Sequence, residues 1–157
     1  MKTNITIRNA SPADCIAVHS LIQELAVFEK AADEVEVSVE QLEQDAFGVN
    51  KIVEIRVAEH NGEVVGAALT YEKYSTWKGR SLHLEDLIVK ESHRGKGIGS
   101  MLFNEIVKLC KDRGYGRMEW QVLDWNEPAI EFYKKYGTTY LHDWLDCRLT
   151  SEDIKNL

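Results

Sequence analysis

The chain has little that could staple it together. Cys15, Cys110 and Cys147 are its three cysteines in 157 residues, far apart and without the paired spacing of a disulfide framework or a zinc site. They read as small hydrophobes in or near a core. His19, His60, His83, His93 and His142 form no close pair of metal-ligand spacing, so no metal is expected. Prolines are two, Pro12 and Pro128, and no Pro/Gly/Ser-rich stretch marks a linker, so a single domain over residues 1–157 is expected. No apolar run approaches the ~20 residues that cross a bilayer, and Met1-Lys2-Thr3-Asn4 leads into alternating residues rather than a signal-peptide core. The expectation is a cytoplasmic protein with no membrane partner. Cations are also in short supply, 19 against 26 acidic residues for a net charge of −7, which argues against nucleic acid as a partner. An acidic surface instead steers cationic small molecules toward it.

With 44% hydrophobic residues, a chain of this length can bury roughly two-thirds of its unfolded surface without such staples. Thr3 to Arg8 alternates as a strand. Ser11 at an N-cap and Pro12 at the first helical position open a helix through Ile16, Leu21, Ile22, Leu25 and Phe28. Ser38 with Gln41 reads as the capping box of a second, short helix. Strands are expected at Ile52 to Glu59 and Val64 to Tyr74, joined by Asn61-Gly62 in a type I′ turn because both residues tolerate positive φ. A third follows at Ser81 to Val89. Met101 to Arg113 carries a helical stripe of Leu102, Ile106, Leu109 and Cys110 that Gly114 ends. Met118 to Leu123 reads as a strand, Asn126-Glu127-Pro128 starts a helix that Gly137 ends, and Thr138 to Leu149 reads as a last strand. The order is β, α, α, an antiparallel meander, then β-loop-α-β-α-β.

Between the third strand of that meander and its crossover helix lies Arg94-Gly95-Lys96-Gly97-Ile98-Gly99-Ser100. Three glycines at alternate positions let successive N–H groups close around phosphate oxygens at a helix N-terminus, and the end of a strand in an open sheet is where ligands bind. A P-loop is not matched, since Ser100 and Met101 follow Gly99 instead of Lys and Ser/Thr. A dinucleotide fingerprint would need Gly95, Gly97 and Ser100, far from the first strand of the chain. A plain connecting turn stays open on these residues alone.

The segments His83-Leu84-Glu85-Asp86-Leu87-Ile88-Val89 and Arg94 to Ser100 together resemble the acetyl-CoA motif of the GNAT N-acetyltransferase superfamily, with Arg94, Gly97 and Gly99 on its Gln/Arg-x-x-Gly-x-Gly/Ala pattern. Trp125 to Gly137, through Asn126, Pro128, Ala129, Tyr133 and Lys135, is similar to the family's second cofactor motif. Ile7-Arg8, Ala13-Asp14-Cys15, Leu21-Ile22, Glu24-Leu25-Ala26 and Asp45-Ala46-Phe47-Gly48 resemble the diamine subgroup of spermidine/spermine and thialysine acetyltransferases. The resemblance covers nearly the whole chain. It implies an α/β fold, a mixed and mostly antiparallel sheet with a splayed pair of parallel strands flanked by helices, in a homodimer. It also implies acetyl-CoA as cosubstrate and a small primary amine as acceptor.

Residue by residue, the resemblance implies a pyrophosphate held by N–H groups from Arg94 through Gly95, Lys96, Gly97, Ile98 and Gly99 to Ser100. Leu87, Ile88 and Val89 pair with the pantetheine arm, and Asn126, Pro128, Ala129 and Lys135 also face the cofactor. Tyr133 matches the general acid that protonates the departing thiolate, although a helical aromatic can equally be packing. Glu85 matches the carboxylate that binds the ammonium and takes its proton through water, against the alternative of a solvated strand residue. Asp86, on the opposite face of an ideal strand, is second choice. Phe28, Glu29 and Trp77 fall on substrate-contacting positions. Acidic residues expected before Trp77 and after Gly137 are replaced by Ser75-Thr76 and Thr139-Tyr140-Leu141-His142. A long polycation needs spaced carboxylates, so a shorter diamine or a lysine-like amino acid stands beside spermidine and spermine. An acyl-CoA sensor without turnover, transfer to a peptide amine, and a nicotinamide oxidoreductase are the alternatives.

Overall fold

The computed structural model describes residues 4–157, which form two compact units divided between Gln121 and Val122. The first holds a five-stranded sheet in the order β1-β2-β3-β4-β5, with β1 Ile5–Asn9, β2 Glu54–His60, β3 Glu63–Ser75, β4 Gly79–Val89 and β5 Met118–Glu119. Strands β1 to β4 pair antiparallel. Only β4 and β5 run parallel, as expected from the sequence, and they pair only at Leu82 with Met118 and His83 with Glu119. Beyond His83, β4 has no strand on that side among the described residues, so the parallel pair splays. β5 is shorter than the stretch to Leu123 that alternation suggested. Thr3, where the first strand was expected to begin, lies outside the described residues.

The Asn61-Gly62 turn forms as the sequence predicts. Both residues have positive φ, 53° and 83°, which matches the right-handed twist of the strands it joins. Ser11 caps a short 3-10 turn, Pro12–Asp14, that leads into helix α1, Cys15–Phe28. Ser38 caps α2, Val39–Phe47, by accepting from the Gln41 N–H at 3.1 Å. The expected capping box is only half made, because the Gln41 side chain bonds Asp45 at 3.0 Å instead. α3, Ile98–Arg113, ends at Gly114, which has φ 64°.

α1 and α2 cover one face of the sheet, where Cys15, Val18, Leu21, Leu42 and Ala46 pack with Ile55, Val57, Ala67, Leu69 and Ile88. α3 covers the other face with fully buried Ile98, Leu102, Phe103 and Ile106. Cys15 is buried as a small hydrophobe, whereas Cys147 is exposed. No helix is long and apolar enough to cross a membrane, among the described residues.

Asp14 fastens β1 to the start of α1. Its carboxylate accepts two bonds from the Arg8 guanidinium, at 2.7 and 3.0 Å, and one from the Ser11 N–H at 2.7 Å. The Arg8 pair holds the carboxyl at about 2, below its usual 3.8. A depressed carboxylate stabilises the fold above its unfolded pKa and loses that contribution as pH falls through the folded value. Asp14→Ala should therefore cost on the order of 2–3 kcal/mol near neutral pH, short of a fully buried pair because Arg8 is partly exposed. Denaturant titrations should show the gap closing toward about pH 2; a constant gap would put the cost in packing alone.

The second unit holds α4, Glu127–Lys134, and α5, Ser151–Lys155. The last strand expected at Thr138 to Leu149 does not form. The segment is irregular, and its apolar members Leu141, Trp144, Leu145 and Leu149 are exposed. Alternation gives a segment two faces, but a strand also needs a partner edge. The side chains of Thr138 and Tyr140 instead bond carbonyls of α4, at Tyr133 (2.8 Å) and Ile130 (3.1 Å).

Candidate active site

The glycine loop has the backbone of an anion cradle. Gly95 and Gly97 have φ of 74° and 79°, a region that disfavours any side chain, and a Cβ at either would meet no atom within 4 Å. The space above both is open. Gly97 is the N-cap of α3 and supplies no side-chain bond. The first intrahelical bond of α3 runs from the Met101 N–H to the Gly97 carbonyl at 3.0 Å, so the N–H groups of Ile98, Gly99 and Ser100 precede the ladder. Buried Ile98 anchors the turn while Gly95, Lys96 and Gly97 are exposed. Orphan donors, open space and a helix N-terminus together fit a pyrophosphate.

Arg94 faces inward. Its Nε donates to the Val89 carbonyl at 3.1 Å, its guanidinium lies 5.6 Å from the Phe28 ring centroid, and Glu24 is 3.9 Å away. Its own N–H is bonded to the Glu91 carbonyl at 3.2 Å. Arg94 thus braces the cradle against β4 and the end of α1. Upstream, Leu87, Ile88 and Val89 lie on the stretch of β4 that has left β5 behind. An unpaired strand edge of this kind can pair with an extended, amide-bearing ligand.

Register places the carboxylates. Asp86 pairs with Leu69 and Leu84 with Thr70, so Glu85 is the extra residue of a bulge. The bulge breaks the alternation assumed from sequence. Asp86, opposite Leu69, and His83, opposite Tyr71, share the face covered by α1 and α2. Asp86 is mostly buried there. Burial first, and then the charges of Glu85 and Glu29, raise its carboxyl from 3.8 to about 6. Glu29 is half-buried at the C-cap of α1, and burial also raises its pKa. Glu85 is exposed and ion-pairs with His83 at 3.2 Å. The structure thus groups Glu29, Glu85 and Asp86, and Asp86 among them is a strongly perturbed carboxyl. Perturbed carboxyls cluster at functional sites.

Trp77 is not in this group. It sits, 76% exposed, at the tip of the β3–β4 hairpin, roughly 20 Å along β4 from Asp86 at the strand rise of ~3.3 Å per residue.

In the second unit, Asn126 accepts from the Ala129 N–H at 3.3 Å as the N-cap of α4, with Pro128 in the first turn. Tyr133 is the buried residue of α4, its ring edge-on to Phe132 with centroids 5.2 Å apart. Lys135 closes the helix, with Nζ 6.0 Å from the Phe132 centroid. His83, which opens the motif segment but was given no role of its own from sequence, lies on the face of Asp86, with Nε2 3.2 Å from a Glu85 carboxylate oxygen.

An anion cradle at a helix N-terminus beside a splayed strand, on a mixed sheet between helices, defines an acyl-CoA-type transferase fold. The Acetyltransferase (GNAT) family model matches residues 18–138. The chain belongs to the GNAT family and is an acetyl-CoA-dependent N-acetyltransferase. Thialysine N-epsilon-acetyltransferase of Bos taurus is 39% identical over 98% of this chain and 96% of that protein. Spermidine/spermine N(1)-acetyltransferase-like protein 1 of Homo sapiens is 30% identical over 96% of this chain but 23% of its own length. Among solved structures, an integron cassette protein from the mobile metagenome of V. cholerae superposes with a TM-score of 0.79 over 97% of this chain and 96% of that one, at 21% identity. At that identity the likeness bears on fold alone.

Proposed function

We propose that the chain acetylates a primary amine of a small molecule, a diamine, polyamine or lysine-like amino acid, by direct attack within a ternary complex. The carrying observation is an acidic group made by Glu85 and Asp86, on the strand that runs into the cradle, with Glu29 at the end of α1. It gives a cationic amine a place beside the cosubstrate. The names of the relatives favour the lysine-like amino acid. Ser75-Thr76 and Thr139 to His142, where the polyamine pattern has acidic residues, disfavour long polycations.

The division of labour follows from exposure. The acceptor must lose a proton before its nitrogen is a nucleophile. Exposed Glu85 and mostly buried Asp86 together hold the ammonium, and Glu85 also passes its proton to solvent. Bound acetyl-CoA supplies the acetyl thioester and, as it reacts, a thiolate that needs a proton. The N–H groups from Gly95 to Ser100 hold its pyrophosphate, and the edge of Leu87 to Val89 holds its pantetheine arm. Asn126, Pro128, Ala129 and Lys135 face the cofactor on the family's second motif, and on that motif Tyr133 gives the thiolate its proton. The homodimer and a substrate contact at Trp77 are what the resemblance to the diamine subgroup implies, with Trp77 exposed at the hairpin tip. The setting is cytoplasmic.

Thiol release from acetyl-CoA with putrescine, spermidine, thialysine, lysine and a lysine peptide tests the proposal. Turnover is expected with thialysine or lysine above spermidine. Activity on the peptide alone would reject the small-molecule acceptor. Acetyl-CoA binding with no turnover on any amine would point to a sensor.

A further inference from the structure

We propose that His83 positions the Glu85 carboxylate, donating a hydrogen bond from its Nε2–H, and thereby sets how tightly the acceptor ammonium is held. The inference rests on the acetyltransferase reading above.

His83 lies on β4 where the parallel pairing ends, opposite Tyr71 on one side and Glu119 on the other. Its side chain is 12% exposed, and its ring lies tilted at 33° against Tyr71 with centroids 4.8 Å apart. Nε2 is 3.2 Å from a Glu85 carboxylate oxygen. An ionised carboxylate only accepts, so in this pair Nε2 carries a proton and is the donor. Nδ1 is buried and has no hydrogen-bond partner among the described residues. The polar bonding of the ring is therefore directed to Glu85.

The neighbours leave that bond undisturbed. Glu119, the carboxylate facing His83 from β5, is already paired with Lys73 at 3.0 Å and Arg117 at 3.2 Å. Tyr71, facing it from β3, offers the ring face, and burial and then the charge of Glu85 raise the pKa of its phenol. Glu85 is 57% exposed along its side chain, and an exposed glutamate samples many rotamers. Binding an ammonium requires one of them to be fixed, at an entropic cost that a bond from a packed ring lowers in advance. His83 is a positioning residue in this account, and Glu85 is the group that meets the substrate.

His83→Phe keeps a flat ring against Tyr71 and removes the donor; His83→Gln returns an N–H near the position of Nε2. The Phe variant should raise the amine KM about tenfold, the loss expected for a hydrogen bond to a charged group. The acetyl-CoA KM and Tm should hold, and the Gln variant should recover most of the amine KM. Adding His83→Phe to Glu85→Gln should cost nothing further, because the two act through one bond. Nitrogen-15 shifts of the His83 ring, read without substrate, should place its proton on Nε2. A Phe variant with wild-type amine KM, additive losses in the double variant, or a proton on Nδ1 alone would each overturn the inference. So would a Gln variant no better than Phe with Tm and both KM values shifted together, the mark of a packing role. A wild-type enzyme that acetylates no amine would instead overturn the functional reading, and the inference with it.

Discussion

Tyr133→Phe should lower turnover by about 10²-fold or more while leaving acetyl-CoA affinity close to that of the parent, since a positioned general acid contributes 10²- to 10⁴-fold. The substitution removes one hydroxyl and keeps the ring that meets Phe132 edge-on within α4. The Asn126 cap and the Thr138 hydroxyl bond to the Tyr133 carbonyl use groups that the change does not touch. The helix should therefore persist and the defect should be chemical. Its size should also depend on the leaving group: an acetyl thioester whose thiol is more acidic needs less protonation and should narrow the gap. Steady-state rates with both donors, beside equilibrium acetyl-CoA binding, check this. Undiminished turnover would reject the acid role, and an equal loss with both donors would move the role of Tyr133 from proton transfer to packing.

Asp86→Asn should make the protein more stable and the enzyme much worse. The Asp86 carboxyl is raised from 3.8 to about 6 by burial, then by the charges of Glu85 and Glu29. A carboxyl raised by folding stabilises the native state below its unfolded pKa, and that contribution is lost as pH rises through the folded value. The ionised Asp86 thus opposes folding near neutral pH by on the order of 2–3 kcal/mol, which the neutral amide relieves. The Tm gain of the variant should be absent below about pH 4, grow toward about pH 6 and then level off. An ammonium is the partner that this carboxylate lacks in the free protein, so its removal should cost amine kcat/KM roughly 10²-fold, within the range for losing a buried charged hydrogen bond. In the wild type, amine kcat/KM should fall as pH drops through about 6. A variant that loses stability near neutral pH, or keeps its amine kcat/KM, would contradict the assignment.

What the sequence disclosed is what is encoded locally. Asn61-Gly62 specifies its turn by two residues that accept positive φ, Ser11 and Ser38 mark helix starts by their side-chain oxygens, and the cradle depends on Gly95 and Gly97. Glu85 stood above Asp86 by the resemblance, and only their placement on opposite faces assumed an unbroken strand; the bulge that alters that placement is a matter of pairing between β3 and β4. Nothing within the segment itself reports that mismatch. The burial of Asp86 and its proximity to Glu29 likewise arise across more than fifty positions of chain. His83 was set aside with the other histidines for lack of metal-ligand spacing, whereas the role proposed for it follows from the residue two places along the same strand. The missing strand at Thr138 to Leu149 shows the converse: the segment reads as a strand from its own residues, and among the described residues no partner strand pairs with it.

The edge of β4 that leaves β5 after His83 has one further consequence. Backbone groups arranged to accept an extended ligand do not distinguish it from a stray polypeptide strand, and an open edge is a template for aggregation. This one is short, and it is flanked by Glu85, Asp86 and Lys90, whose charges discourage a second chain from aligning there. The carboxylates proposed to meet the acceptor would then also act as gatekeepers of solubility. Neutralising both should leave a protein that self-associates when starved of acetyl-CoA and disperses when it is supplied.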